Sequence, residues 1–106
     1  MAHAERGMSA PPEVVFNTAT DPDRASAWLP DPLRGDGSPA EEVSVEELRA
    51  RWSAAGDWCA EIRVDPALAG GARTRLDLTG GPDADRMAEE ALDSLAREVA
   101  DNLQAG

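Results

Sequence analysis

The chain predicts an α+β fold in which an antiparallel sheet packs on a long C-terminal helix, with two short helices near the N-terminus. Three patterns point there. Apolar residues alternate with charged ones from Leu48 to Leu78, they recur at three- and four-residue spacing from Ala84 to Leu103, and prolines punctuate the stretch from Pro11 to Pro30 as helix starts and stops.

Taken in order, Ala2 to Ala10 alternates poorly and gives no clear strand signal. Pro11 and Pro12 suit a first helical turn, where the missing N–H groups would have no partner, and Val14, Val15 and Ala19 supply an apolar side over about residues 12 to 18. Asp21 can cap a second helix with Pro22 at its first position, and Pro30 stops it just past Trp28 and Leu29. Between Asp31 and Ala40, Pro32, Gly35, Gly37 and Pro39 read as a loop.

Leu48, Ala50 and Trp52 then share one face of a strand whose other face carries Glu47, Arg49 and Arg51. After a turn at residues 53 to 57, Trp58, Ala60, Ile62 and Val64 point inward while Cys59, Glu61, Arg63 and Asp65 point outward. A third strand follows the loop at 66 to 71, with Ala72, Thr74, Leu76 and Leu78 inward and Arg73, Arg75 and Asp77 outward. Val43 and Val45 sit at odd positions, so a strand continuous with Leu48 to Trp52 needs a bulge or a break. Gly80-Gly81-Pro82-Asp83 resets the chain, and the final helix sets Ala84, Met87, Ala88, Ala91, Leu92, Leu95, Val99 and Leu103 against an acidic opposite face. Its length, roughly 31 Å at 1.5 Å per residue, matches the strands it is expected to cover.

At 106 residues the whole chain, 1–106, is expected to form a single domain, burying roughly 65% of its unfolded surface. Ten arginines, no lysine and twenty-one carboxylates give a net charge of −11, which argues against a phosphate backbone or an anionic membrane surface as partner. Nucleic acid is therefore not an expected partner. Cys59 stands alone, so no internal disulfide forms, and Met1 to Arg6 has no apolar run behind it; the expected compartment is the cytoplasm. No membrane span is expected, since no stretch approaches about 18 consecutive apolar residues. No Cys or His cluster has metal-ligand spacing and no glycine-rich loop has the phosphate-binding pattern, so neither a metal nor a cofactor is expected.

The run Pro11-Pro12-Glu13-Val14-Val15-Phe16, followed by Asp21-Pro22-Asp23-Arg24 and Trp28-Leu29-Pro30, resembles the segment after the first strand of the START-like or helix-grip superfamily, also labelled SRPBCC or polyketide cyclase/dehydrase. Trp52, Trp58 to Val64, Gly70-Gly71 and Leu95 to Leu103 extend the resemblance over most of the chain. It implies a curved sheet that wraps the last helix and leaves a ligand cavity between them. Family members usually have a long first strand and about six strands after the helix pair, whereas three are clear here, so the grip is expected to be abbreviated. A shortened sheet leaves open a small cavity, an exposed edge, or completion by a second copy pairing edge to edge as a homodimer. A monomeric mass by sedimentation at micromolar concentration would count against the dimer.

With that resemblance, Trp28, Leu29, Trp52, Ile62, Thr74, Leu76, Met87 and Leu95 are the candidate contacts for a hydrophobic small molecule or lipid-like ligand bound non-covalently. Trp52 and Trp58 also suit plain core packing, and Thr74, the one polar inward side chain of these strands, suits a bond to a strand neighbour. No catalytic residue is assigned. His3 falls in the terminus, Cys59 lies on a polar face without a histidine partner, and the inward faces carry almost no carboxylates. A register shift that turned Arg49, Arg51 or Arg75 into the cavity would favour the alternative of a polyketide cyclase/dehydrase-like enzyme. A third reading, a protein-interaction domain similar to the branch that activates a heat-shock ATPase, would go with an absent cavity.

Overall fold

The computed structural model describes residues 2–30, 33, 40–54, 57–81 and 83–105. The elements run β1 (Ala2–Met8), α1 (Pro12–Thr20), α2 (Pro22–Trp28), β2 (Glu42–Ser44), β3 (Arg49–Ala54), β4 (Trp58–Pro66), β5 (Ala72–Thr79) and α3 (Ala84–Ala105). The strands form one antiparallel sheet in the order β1-β5-β4-β3-β2. The predicted α+β architecture is thus present, with the helices on one face of the sheet: α3 lies over β1 and β5, and α1 over β4. Apart from Leu33 and Ala40, the loop expected from 31 to 40 lies outside the described residues, as do positions 55 and 56 of the β3–β4 turn.

The predicted periods set the core. Ala50 and Trp52 of β3, Ala60, Ile62 and Val64 of β4, and Ala72, Leu76 and Leu78 of β5 are buried, and Ala88, Ala91, Leu92, Leu95 and Val99 of α3 close over the same cluster. The β4–β5 register places Ile62 opposite Leu76 and Ala60 opposite Leu78, which is the pairing that puts every apolar residue on the helix side.

Four expectations need correction. The poor alternation of Ala2 to Ala10 hides a strand: β1 pairs along its whole length with β5, with Ala2, Ala4, Arg6 and Met8 on the helix side. Arg6 breaks the apolar pattern because β1 is an edge strand, where a long side chain can leave the inner face and bridge to Asp93 on α3. His3 consequently sits in a paired strand, opposite Asp77, and not in a loose terminus. Among the described residues four strands follow the helix pair, since Val43 and Leu48 belong to different elements. The chain turns at Val45–Leu48, with Leu48 at φ 51° and its carbonyl accepting from Val64 N at 3.0 Å. No Gly, Pro, Asn or Asp marks that turn, so the residues alone do not choose between a bulge and a break there. Finally, α3 at 22 residues is about 33 Å long against about 26 Å for the eight residues of β5. Leu103, near its C-terminal end, is 46% exposed.

The corner between α1 and α2 is built as the prolines suggest. Asp21 Oδ1 accepts from Asp23 N at 2.9 Å, while its own N–H reaches Thr18 O at 3.4 Å, so one residue ends the first helix and caps the second. The corner is tied to α3 by Arg24, 3.2 Å from Glu98 Oε1, and by Asn102 Nδ2 donating to Thr18 Oγ1 at 3.1 Å. Asp21→Ala is expected to lower unfolding free energy by about 1 kcal/mol in urea denaturation. No measurable loss would mean that the corner is held without the cap.

Candidate functional site

The corner aims Trp28 at the helix α3. Trp28 Nε1 donates to Ala19 O at 3.1 Å, which fixes the indole against α1, and its ring meets Trp52 of β3 edge to face with centroids 5.3 Å apart at 83°. Where α2 ends, Trp28, Leu29 and Pro30 face the N-terminal half of α3 across a groove of about 280 Å³. Arg86, Met87, Glu90, Ala91 and Ser94 form the other wall. The groove exists because Ala91 and Ser94 are small where a larger side chain would close it.

Its floor is apolar and its rim charged. Trp28, Leu29 and Ala91 are buried and Met87 is half-buried, whereas Arg86 and Glu90 are exposed. Arg86 lies 3.5 Å from Asp83 and 3.9 Å from Glu90, so the groove mouth holds a guanidinium between two carboxylates. At this exposure such pairs contribute little to stability.

The eight predicted contact residues divide accordingly. Trp28, Leu29 and Met87 line the groove. Trp52, Ile62, Leu76 and Leu95 do not line it and are all buried in the core cluster between sheet and helix, where a ligand cavity was expected. Thr74 is also buried, and its Oγ1 faces Met8 Sδ of the neighbouring strand at 3.6 Å. Trp58 is half-buried at the start of β4, lying across Gly80 and Gly81.

Pro30, Arg86, Glu90, Ala91 and Ser94 were not among the predicted ligand contacts, although a signal was present. Positions 86, 90 and 94, together with 87 and 91, follow from Met87 by helical spacing. One polar atom of the interior stands out: Trp52 Nε1 is buried and has no hydrogen-bond partner among the described residues.

The residues considered for catalysis lie elsewhere. Arg49, Arg63 and Arg75 are directly opposite one another on the outer face of β3, β4 and β5, each near a carboxylate two residues away on its own chain: Glu47 at 3.9 Å, Asp65 at 3.7 Å and Asp77 at 3.3 Å. Arg51 and Arg73 share that face, Arg73 with Glu5 at 4.0 Å. Cys59 accepts from Arg51 Nε at 3.2 Å, and this hydrogen bond is the main cause that raises the Arg51 pKa. His3 is exposed on the same outer face. Among the described residues no group of His, Cys, Asp and Glu could hold a metal ion, and no helix is long and apolar enough to cross a membrane.

No protein-family model matches the sequence, and no curated protein matches it. Solved structures do match. Protein CV1439 from Chromobacterium violaceum is 23% identical, with 91% of this chain and 94% of that one covered at a TM-score of 0.62. CalU16 from Micromonospora echinospora is 20% identical, covering 97% of this chain and 83% of its own at 0.62. The di-domain ARO/CYC StfQ from the steffimycin biosynthetic pathway is 14% identical and covers 98% of this chain at 0.69, but only 46% of StfQ itself is matched. At these identities the likeness is one of fold, and the architecture fits the helix grip.

Proposed function

We propose that this protein binds a hydrophobic small molecule or lipid-like ligand non-covalently, in the groove between the end of α2 and the N-terminal half of α3. The observation that carries the reading is the groove itself: a buried floor of Trp28, Leu29 and Ala91, a half-buried Met87, and a rim of Arg86, Glu90 and Ser94. An apolar ligand there gains roughly 25 cal/mol per Å² removed from water, less the cost of ordering it. About 280 Å³ lies just below the usual range of roughly 300–1,000 Å³ for small-molecule sites, which suits a compact ligand or one end of a longer one. The resemblance to the polyketide cyclase/dehydrase group, and the fold shared with StfQ of a biosynthetic pathway, support polyketide-like compounds as the first class to try. Binding without catalysis is supported by the outward placement of Arg49, Arg51 and Arg75, of Cys59 and of His3.

The test is a titration of intrinsic tryptophan fluorescence with fatty acids, flavonoids and polycyclic aromatics. Saturable quenching or a blue shift is expected, because Trp28 lines the groove. Ser94→Trp, which fills the groove from a half-buried position without touching the core, is expected to weaken binding at least about tenfold when measured by calorimetry. No saturable response to any compound would sink the proposal.

A further inference from the structure

We propose that the groove selects its ligand by charge: it takes a compact apolar molecule carrying a protonated amino group, read by Glu90 and Ser94, and it disfavours carboxylates. The inference rests on the groove being the binding site and adds the chemical class of the ligand's polar end. At the mouth one cation, Arg86, faces two carboxylates, Asp83 and Glu90. The same stretch of α3 adds Asp85, Glu89 and Asp93 and no further cation before Arg97. On α2, Arg24 is held by Glu98 at 3.2 Å and does not bring a free positive charge to the groove. The positive end of the α3 dipole, which would favour an anion here, is already answered by Asp85 in the first turn and Asp83 just before it. The net charge of −11 on the whole chain acts in the same sense.

Arg86 does not reverse this preference, because it is shared. Asp83 is its nearer partner at 3.5 Å and Glu90 the farther at 3.9 Å, so an ammonium that settles on Glu90 leaves Arg86 with Asp83. A carboxylate at Arg86 has to displace one already there, and it then stands beside two groups of its own sign. Ser94 supplies the second contact. The hydroxyls of Thr18 and Thr20 bond back to carbonyls four residues earlier, at 2.7 and 2.9 Å, whereas the Ser94 hydroxyl, half-buried on the groove wall, makes no hydrogen bond among the described residues. Glu90 and Ser94 are one helical turn apart, with Cβ atoms about 6 Å from each other, so one ammonium can donate to both. An exposed ion pair alone is weak. Here the ligand's apolar body, seated against Met87 and the groove floor, holds the amine in place and keeps water from it.

Three probes share one aromatic body: 1-naphthylmethylamine, 1-naphthylmethanol and 1-naphthoate, which are cationic, neutral and anionic at neutral pH. Calorimetric titration of the intact protein at low salt is expected to give the amine about tenfold tighter binding than the acid, with the alcohol between them. Glu90→Gln should cut that ratio to about threefold and leave the alcohol unmoved. Asp65→Asn is the control, because it removes the same charge from an exposed site on the outer face of the sheet, and it should leave the ratio near its wild-type value. An acid that binds as tightly as the amine would overturn this inference and leave the groove as a binding site. So would a ratio that falls as far in Asp65→Asn as in Glu90→Gln, since overall charge and not the groove mouth would then be selecting. Binding of none of the three probes would overturn both the inference and the groove.

Discussion

Gly80→Ala is expected to destabilise the protein by about 2–4 kcal/mol, from backbone strain and overpacking together. Gly80 has φ +143°, a conformation that L side chains rarely adopt, and an added Cβ would lie 2.4 Å from Cδ2 and 2.5 Å from Cε3 of Trp58. Gly81 meets the far edge of the same ring, with Cζ2 at 2.8 Å from its would-be Cβ. The indole thus lies across the two glycines that connect β5 to α3, and no side chain fits between. In a domain of this size the loss corresponds to a fall in Tm of roughly 10–25 °C. Gly7→Ala is the control, since nothing lies within 4 Å of its added Cβ, and it should change stability by no more than about 0.5 kcal/mol. Equal urea midpoints for the two variants would show that Trp58 does not lie over the glycine pair.

Trp28→Ala should be more damaging still, at about 3–5 kcal/mol. The ring is 1% exposed, fills the space between α1, α3 and β3, makes the edge contact with Trp52, and satisfies Ala19 O. Its removal takes a large share of the roughly 5–15 kcal/mol that a domain has in total. Trp28→Phe keeps most of the packing and forfeits the N–H, so it should lose only about 1–2 kcal/mol. Denaturant curves should therefore rank wild type above Phe and Phe well above Ala. If Phe proves as unstable as Ala, the hydrogen bond to Ala19 and not the packing holds the corner. The same ranking explains why the groove is better probed with Ser94→Trp than by deleting its floor.

What could be read from the residues was whatever repeats. The period of two placed β3, β4 and β5 with the correct faces, and the three-four spacing placed α3, because burial on one side imposes those periods. The Asp21-Pro22 start was legible because capping needs a particular side chain at a particular position. β1 was not, since Arg6 occupies an inner-face position that only an edge strand permits. Before β3 the residues left a bulge and a break both open for lack of any turn residue, Leu48 itself taking the left-handed conformation.

The site was legible in part for a related reason. Trp28, Leu29 and Met87 are large and apolar, so they attract notice, and they do line the groove. Ala91 and Ser94 matter because they are small, and Arg86 and Glu90 because they flank Met87 on the helix surface; neither property shows until α2 is packed against α3. Trp52 was a predicted contact by residue type, but it lies in the core beside Trp28 and its N–H has no acceptor among the described residues, which only the packed structure reveals.

The most direct test of ligand binding at this groove is a map of amide shifts in ¹H–¹⁵N spectra as the tightest compound from the fluorescence panel is added. The account predicts that the largest changes fall on Trp28, Leu29, Met87, Glu90, Ala91 and Ser94, while the outer-face strand residues Arg63 and Arg75 stay put. Changes centred on the outer face of the sheet, or spread evenly over the chain, would contradict it.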